Sequence, residues 1–226
     1  MAKAKDDYER LDQSESHLAK LEAQLAKEAE AVRHQAAVLL DLRHKADARF
    51  SKVMTETLNK LGMPNSRIAF HLAPMKEISP DGASGIELYF SANTGEAMQP
   101  LAKIASGGEV SRIALALKTT GSGQDADKTM IFDEIDVGIS GQTGLQVADH
   151  IRKLAGRGQI FCITHLPQTA AIADHHFFIY KKEADGRTVT QVRSLSDGEH
   201  VLEIARMFAG NDTTKASIEA ARQIVQ

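Results

Sequence analysis

Three short segments of this 226-residue chain combine residue types that can do chemistry together. Ser106-Gly107-Gly108-Glu109 sets two glycines ahead of an apolar, helix-like stretch at 110–119. Glycines let the backbone approach a ligand closely, and the amides of a helix start offer a positive dipole end to an anion. Ser106 adds a hydroxyl donor. The same four residues also make an ordinary Gly-rich turn that merely starts a helix. Asp133-Glu134 closes the apolar run Met130-Ile131-Phe132, which puts two adjacent carboxylates at the carboxyl end of a strand. Ligands of α/β folds bind at such ends. An acid there can hold Mg²⁺ while its neighbour polarises an attacking water; a solvated loop start is the plainer reading of the pair. Thr164-His165 ends the next strand-like run, 159–163, so His165 can stand beside the acidic pair across two adjacent strands. A lone histidine there is also commonly structural.

The elements that must position these segments follow from pattern and punctuation. Alternation of a strand at 129–132, a helix at 142–154 and a strand at 159–163 suggests parallel strands joined by a crossover helix. Before them, β-like runs at 68–72 and 85–92 flank the turn-rich Pro80-Asp81-Gly82, and a polar loop covers 120–127. After them, runs at 177–182 and 188–192 flank Asp185-Gly186 and read as a hairpin, with His175-His176 at the strand start and closing helices at 199–208 and 213–225. Ahead of all this, residues 1–61 contain no glycine or proline and are rich in helix formers, until Gly62-Met63-Pro64 breaks the run. Leu11, Leu18, Leu25, Val32, Leu39, Ala46 and Val53 recur at heptad spacing, with Leu21 and Leu42 at companion positions. Ser14, Glu28, Gln35 and Arg49 interrupt that companion set, so the seam is half formed. A helix of this length reaches about 90 Å, so it must project and needs a partner helix, which no second heptad run supplies. A plain amphipathic helix folded on the globular part is the alternative. The expected division is residues 1–61 as one half of a coiled-coil arm and 62–226 as a globular unit.

Composition removes several classes. The hydrophobic fraction of 42% is that of an ordinary folded chain, and no stretch approaches the roughly 20 apolar residues a membrane span needs. Lys plus Arg number 27 against 30 acidic residues, a net charge of -3 that announces no polyanion partner by bulk electrostatics. Lys181, Lys182 and Arg187 can contact phosphate, although a solvated hairpin explains them equally simply. The single cysteine, Cys162, lies in an apolar run and excludes a disulfide framework. It has no zinc-ligand spacing to the histidines, and no GxSxG elbow occurs. Residues 1–10 are polar and lack a secretory core, which with the lone thiol leads us to expect a cytoplasmic protein.

Order and spacing then carry a resemblance. The run 104–112 resembles the signature motif of ABC-type ATPases, Met130 to Glu134 resembles their Walker B strand, and His165 falls at their switch histidine. The long helix matches the SMC type of coiled-coil ATPase. Phe132-Asp133-Glu134-Ile135-Asp136-Val137-Gly138-Ile139-Ser140-Gly141 and Ile163-Thr164-His165-Leu166-Pro167-Gln168 look specifically like the RecN family of bacterial DNA repair proteins. The resemblance spans nearly the whole chain and implies an α/β fold: the C-terminal lobe of an ABC/SMC-type P-loop ATPase head, carrying a long N-terminal coiled-coil helix. Two departures stand out. Ser140 occupies the place where transporter and SMC heads usually carry an aspartate, a form RecN-like sequences share. No Gly-Lys dipeptide occurs, so the phosphate-cradling GxxxxGK[ST] loop is absent; in the family it belongs to the N-terminal lobe.

The resemblance implies a set of roles. ATP and Mg²⁺ are the expected ligands. Ser106, Gly107, Gly108 and Glu109 would close over nucleotide held by a second head, Asp133 would hold Mg²⁺, Glu134 would activate the attacking water, and His165 would meet the γ-phosphate. The N-terminal lobe and partner helix of the same protein, a second head and DNA are the implied partners, in repair of double-strand breaks. This chain alone is expected to be inactive, and the nucleoid of the cytoplasm is its expected location. A non-catalytic coiled-coil interaction module, or part of another SMC-like or transporter ATPase, are the rival readings; Ser140 and Leu166-Pro167-Gln168 argue against the latter.

Overall fold

A computed structural model describes residues 2–103, 107–121, 128–184, 187–210 and 212–225, with side chains described from residue 16 onward, Ala184 excepted. Helix α1 runs Ala2–Lys60, as the absence of helix breakers dictates. A hairpin follows, β1 (Arg67–Ser79) and β2 (Gly82–Ser91), then the short β3 (Gln99–Pro100) and one 3₁₀ turn, Leu101–Lys103. Next come α2 (Gly107–Thr120), β4 (Thr129–Phe132), α3 (Gly141–Ala155), β5 (Gln159–Cys162) and a single turn α4 (Pro167–Ala170). Strands β6 (Phe177–Ala184) and β7 (Arg187–Ser194) precede the helices α5 (Asp197–Ala209) and α6 (Lys215–Ile224). Strand β1 extends past its apolar run to Ser79, through exposed Met75, Lys76 and Glu77, because β2 pairs alongside it. The one-turn α4 was not legible as a helix in the sequence.

The chain divides into two compact units, 1–51 with 69–89, and 52–68 with 90–226. In the first, the hairpin is strapped to α1. Arg43 donates to the Asp81 carbonyl at 2.6 Å and to Ser84 Oγ at 2.8 Å, while Asp47 Oδ1 accepts the Phe70 amide at 2.8 Å. Phe50 and Phe70 meet with ring centroids 4.7 Å apart. The turn needs glycine at position 82, where φ is +99° and a Cβ would lie 2.9 Å from Leu39 Cδ2. The seam residues Leu18, Leu25, Val32 and Leu42 stay exposed.

In the second unit Met54 and Leu58 of the last turns of α1, and Leu61 just after it, are completely buried. Gly62 ends the helix with φ +81°, and a Cβ there would sit 2.6 Å from Thr143 Cγ2 of α3. Helices α2, α3, α4, α5 and α6 each pack on the next. A separate apolar cluster, Ala170, Ala171, Ile204, Ala205 and Ala221, closes the chain's end. Strands β4 and β5 pair in parallel from Thr129 opposite Gln159 to Phe132 opposite Cys162, with α3 as the crossover. Phe132 is buried on one face of this pair, whereas Ile131 at 69%, Phe161 at 43% and Ile163 at 50% exposure line the other. Strands β6 and β7 form the expected antiparallel hairpin; the expected turn, Asp185-Gly186, lies outside the described residues.

Candidate functional site

The site grows from the carboxyl ends of β4 and β5. The ladder closes with the Ile163 amide donating to the Phe132 carbonyl at 2.9 Å, so Asp133 and Thr164 leave the sheet side by side. Glu134 follows at φ +56°, and among the described residues no other non-glycine has positive φ. Left-handed backbone costs a non-glycine residue free energy and persists only where its surroundings hold it. Here the Glu134 amide donates to Asp133 Oδ1 at 2.9 Å, and the Glu134 carbonyl accepts from the Val137 amide at 3.2 Å.

The first turns of α2 dock on this loop. Ser111 Oγ donates to the Asp133 carbonyl at 2.7 Å, and Arg112 Nη1 donates to the Val137 carbonyl at 2.8 Å and more weakly to Ile135 at 3.4 Å. Arg112 is buried, which pulls its pKa down, while nearby Glu109 opposes that shift. Two glycines make the approach feasible. A methyl group on Gly107 would lie 2.3 Å from Glu134 Oε2, and one on Gly108 would lie 3.2 Å from the Glu134 carbonyl oxygen. The glycines therefore belong to the helix itself, and the Glu134 carboxylate lies over its first turn.

A second set of contacts fixes the end of β5. Asp136, buried, uses Oδ2 to accept from the Thr164 hydroxyl and from the amides of His165 at 2.9 Å and Leu166 at 3.2 Å. Thr164 Oγ1 in turn accepts from the Leu166 amide at 3.0 Å. The His165 ring is exposed, with Nδ1 3.3 Å from Asp136 Oδ1. Burial, reinforced by Asp136 and Asp133, pushes the Cys162 thiol up to about 12, so it stays protonated at neutral pH and is no nucleophile.

Of the residues singled out in the sequence, Ser106 lies outside the described residues. Gly107, Gly108 and Glu109 form the first turn of α2; Asp133 and Glu134 are exposed at the sheet edge; His165 reaches the same edge through Asp136. Ser140 is extended and makes no side-chain cap to α3. Lys181, Lys182 and Arg187 are exposed on the hairpin. Asp133 offers an exposed carboxylate, the hard oxygen donor that suits Mg²⁺ bound jointly with phosphate, although no group of three His, Cys, Asp or Glu among the described residues makes an all-protein metal site. Sequence reasoning missed Ser111, Arg112, Asp136 and Thr164. Only Asp136 left a signal, an acid between the apolar Ile135 and Val137.

No protein-family model matches the chain. Among curated proteins it is 42% identical over 195 residues to the DNA repair protein RecN of Halalkalibacterium halodurans, covering 84% of this chain and 34% of that protein. It is 44% identical over 168 residues to RecN of Deinococcus radiodurans, covering 74% and 29%. RecN of Bacillus subtilis matches at 33% identity over 240 residues, covering 100% of this chain and 42% of that protein. The chain is a RecN-like sequence. It resembles the C-terminal portion of these proteins and spans about a third of the length of the first two. Its described elements, a long N-terminal helix followed by mixed strands and helices, agree with the α/β class expected from the sequence. The Smc head domain of Pyrococcus yayanosii, with its coiled coil and joint, aligns at 22% identity and a TM-score of 0.45, over 68% of this chain and 28% of that one. A Pyrococcus furiosus Smc head bound to the C-terminal domain of ScpA gives 26% and 0.42, over 69% and 37%. The likeness to RecN proteins is carried by these sequence relatives. No helix among the described residues is long and apolar enough to cross a membrane.

Proposed function

We propose that this chain is the closing half of an ATP-hydrolysing head, with residues 1–61 as half of a coiled-coil arm and 62–226 as the lobe. The observation that carries the reading is convergence: the start of α2, Asp133-Glu134 and the His165 segment meet at the carboxyl edge of β4 and β5. Asp133 would hold Mg²⁺, which supplies charge neutralisation to a bound triphosphate. Glu134 orients the attacking water and takes its proton; His165 faces the terminal phosphate, and Ser106 with Gly107, Gly108 and Glu109 closes over nucleotide bound to a second head. Glu134 must first leave the first turn of α2, where it now lies.

Two bare surfaces support the need for a partner lobe. Strands whose apolar residues point to both faces are normally covered on both, yet Ile131, Phe161 and Ile163 are exposed. The stripe Leu18, Leu25, Val32 and Leu42 on α1 is equally uncovered. We assign the first surface to an N-terminal lobe carrying the phosphate loop and the second to its returning helix. The relatives' description as DNA repair proteins supports coupling of head engagement to DNA in double-strand-break repair, in the cytoplasm at the nucleoid.

Calorimetry and phosphate release test this. The chain alone should neither bind ATP tightly nor turn it over, because Asp133 and Glu134 repel a triphosphate and the amides of Gly107 and Gly108 do not make a full phosphate nest. Adding a separately expressed RecN N-terminal lobe with its helix should bring Mg²⁺-dependent hydrolysis. Micromolar affinity or repeated turnover by the chain alone would overturn the division of labour. Head dimers formed equally without ATP would favour a non-catalytic interaction module.

A further inference from the structure

Asp136 is the one enclosed carboxylate among the described residues, 1% exposed. Enclosing a carboxylate is costly unless donors satisfy it. Its donors come from a single three-residue segment: the Thr164 hydroxyl and the His165 and Leu166 amides on Oδ2, with His165 Nδ1 facing Oδ1. Two consecutive amides and a hydroxyl converging on one oxygen fix the backbone path of 164–166, and the Thr164–Leu166 bond locks the same turn from inside. The other end of the brace is also held. Asp136 lies two residues beyond Glu134, in a loop whose carbonyls at 133, 135 and 137 accept from Ser111 and Arg112. One side chain thus ties the segment bearing the histidine to the segment bearing the two acids.

We propose that Asp136 is a positioning residue for ATP hydrolysis: it holds the 164–166 backbone and so sets where the His165 ring stands relative to Asp133 and Glu134. The proposal rests on His165 meeting the terminal phosphate. Asp136→Ala leaves the His165 amide without its acceptor and the Leu166 amide with only Thr164 Oγ1, whereas Asp136→Asn keeps an oxygen for both.

Two measurements test it. In this chain, amide hydrogen exchange at His165 and Leu166 should speed up at least tenfold in Asp136→Ala and stay near wild type in Asp136→Asn, with the β6–β7 hairpin unchanged in both. In a complete RecN protein carrying this segment, Asp136→Ala should lower kcat for ATP at least tenfold with KM moving less than twofold, and Asp136→Asn should recover most of the loss. Unchanged exchange at 165 and 166, a changed KM with normal kcat, or full turnover in the alanine variant would each overturn the proposal. Should Asp136→Ala fail to fold, Thr164→Val, which removes only the hydroxyl, decides: it should still show faster exchange at Leu166 and a lower kcat, and wild-type values in both would refute the brace. A wild-type protein that does not hydrolyse ATP would instead refute the ATPase reading, and the exchange result would still decide whether Asp136 holds the loop.

Discussion

The β4–β5 edge and the α5–α6 end of the chain are built on opposite terms. At the edge, Ile131, Phe161 and Ile163 are bare, both acids are exposed, and Glu134 holds a left-handed backbone. At the chain's end, Ile204, Ala205 and Ala221 are completely buried, and α5 and α6 each start with a reciprocal capping box, Ser196 with Glu199 and Thr214 with Ser217. Reciprocal caps satisfy the orphan amides of a helix start internally. The edge has its hydrogen bonds but not its cover. Strain and exposed apolar side chains coincide at the edge that we propose meets a second lobe and a nucleotide.

The contrast predicts that edge substitutions change turnover and end substitutions change stability. The largest effect is expected from Glu134→Gln in a complete protein: turnover falls about a hundredfold or more, with ATP binding and melting temperature retained. Near-normal turnover would remove Glu134 from the role of base. Next, Ile204→Ala in this chain should cost about 2–5 kcal/mol by denaturant unfolding, the range for truncating a fully buried side chain. Gly62→Ala should cost about 1–3 kcal/mol, because it combines a φ of +81° with a Cβ 2.6 Å from Thr143 Cγ2. Ile131→Ser should change stability by less than about 0.5 kcal/mol in the chain alone, yet weaken association with an N-terminal lobe in a pull-down titration. A large loss of stability from Ile131→Ser would break the comparison.

The smallest effect concerns acid. The Ser196 amide, then the Arg193 side chain and the Ser196 hydroxyl, hold Glu199 down at about 2. A carboxylate depressed in the folded state stabilises above its unfolded pKa, and that contribution is lost as pH falls towards the folded value. The cap of α5 should therefore loosen between about pH 4.5 and pH 2, read from the Ser196 amide resonance. Glu199→Gln should flatten that change.

The limits of sequence reading show in particular residues. The run free of Gly and Pro located α1 and its end at Lys60, and Asp185-Gly186 located the β6–β7 hairpin, because these signals are local. Local signals failed at α4, a single turn too short to have a period, and at β1, where pairing with β2 carries polar residues into a strand. Ser106-Gly107-Gly108-Glu109 was legible as a helix start, but the sequence did not show that Gly107 is glycine to admit the Glu134 carboxylate.

Heptad spacing determined which face of α1 is apolar, and alternation of strand and helix determined that β4 and β5 run parallel. Only the tertiary structure decided that Leu58 and Leu61 are buried while Leu18 and Leu25 are not, since periodicity orients a side chain without naming what covers it. The same holds for acids. The sequence places Asp133, Glu134 and Asp136 within four residues of one another, and distant donors on 164–166 separate Asp136 from the other two. A carboxylate's environment is set by groups that chain folding brings near it in space, and these need not be near it in sequence.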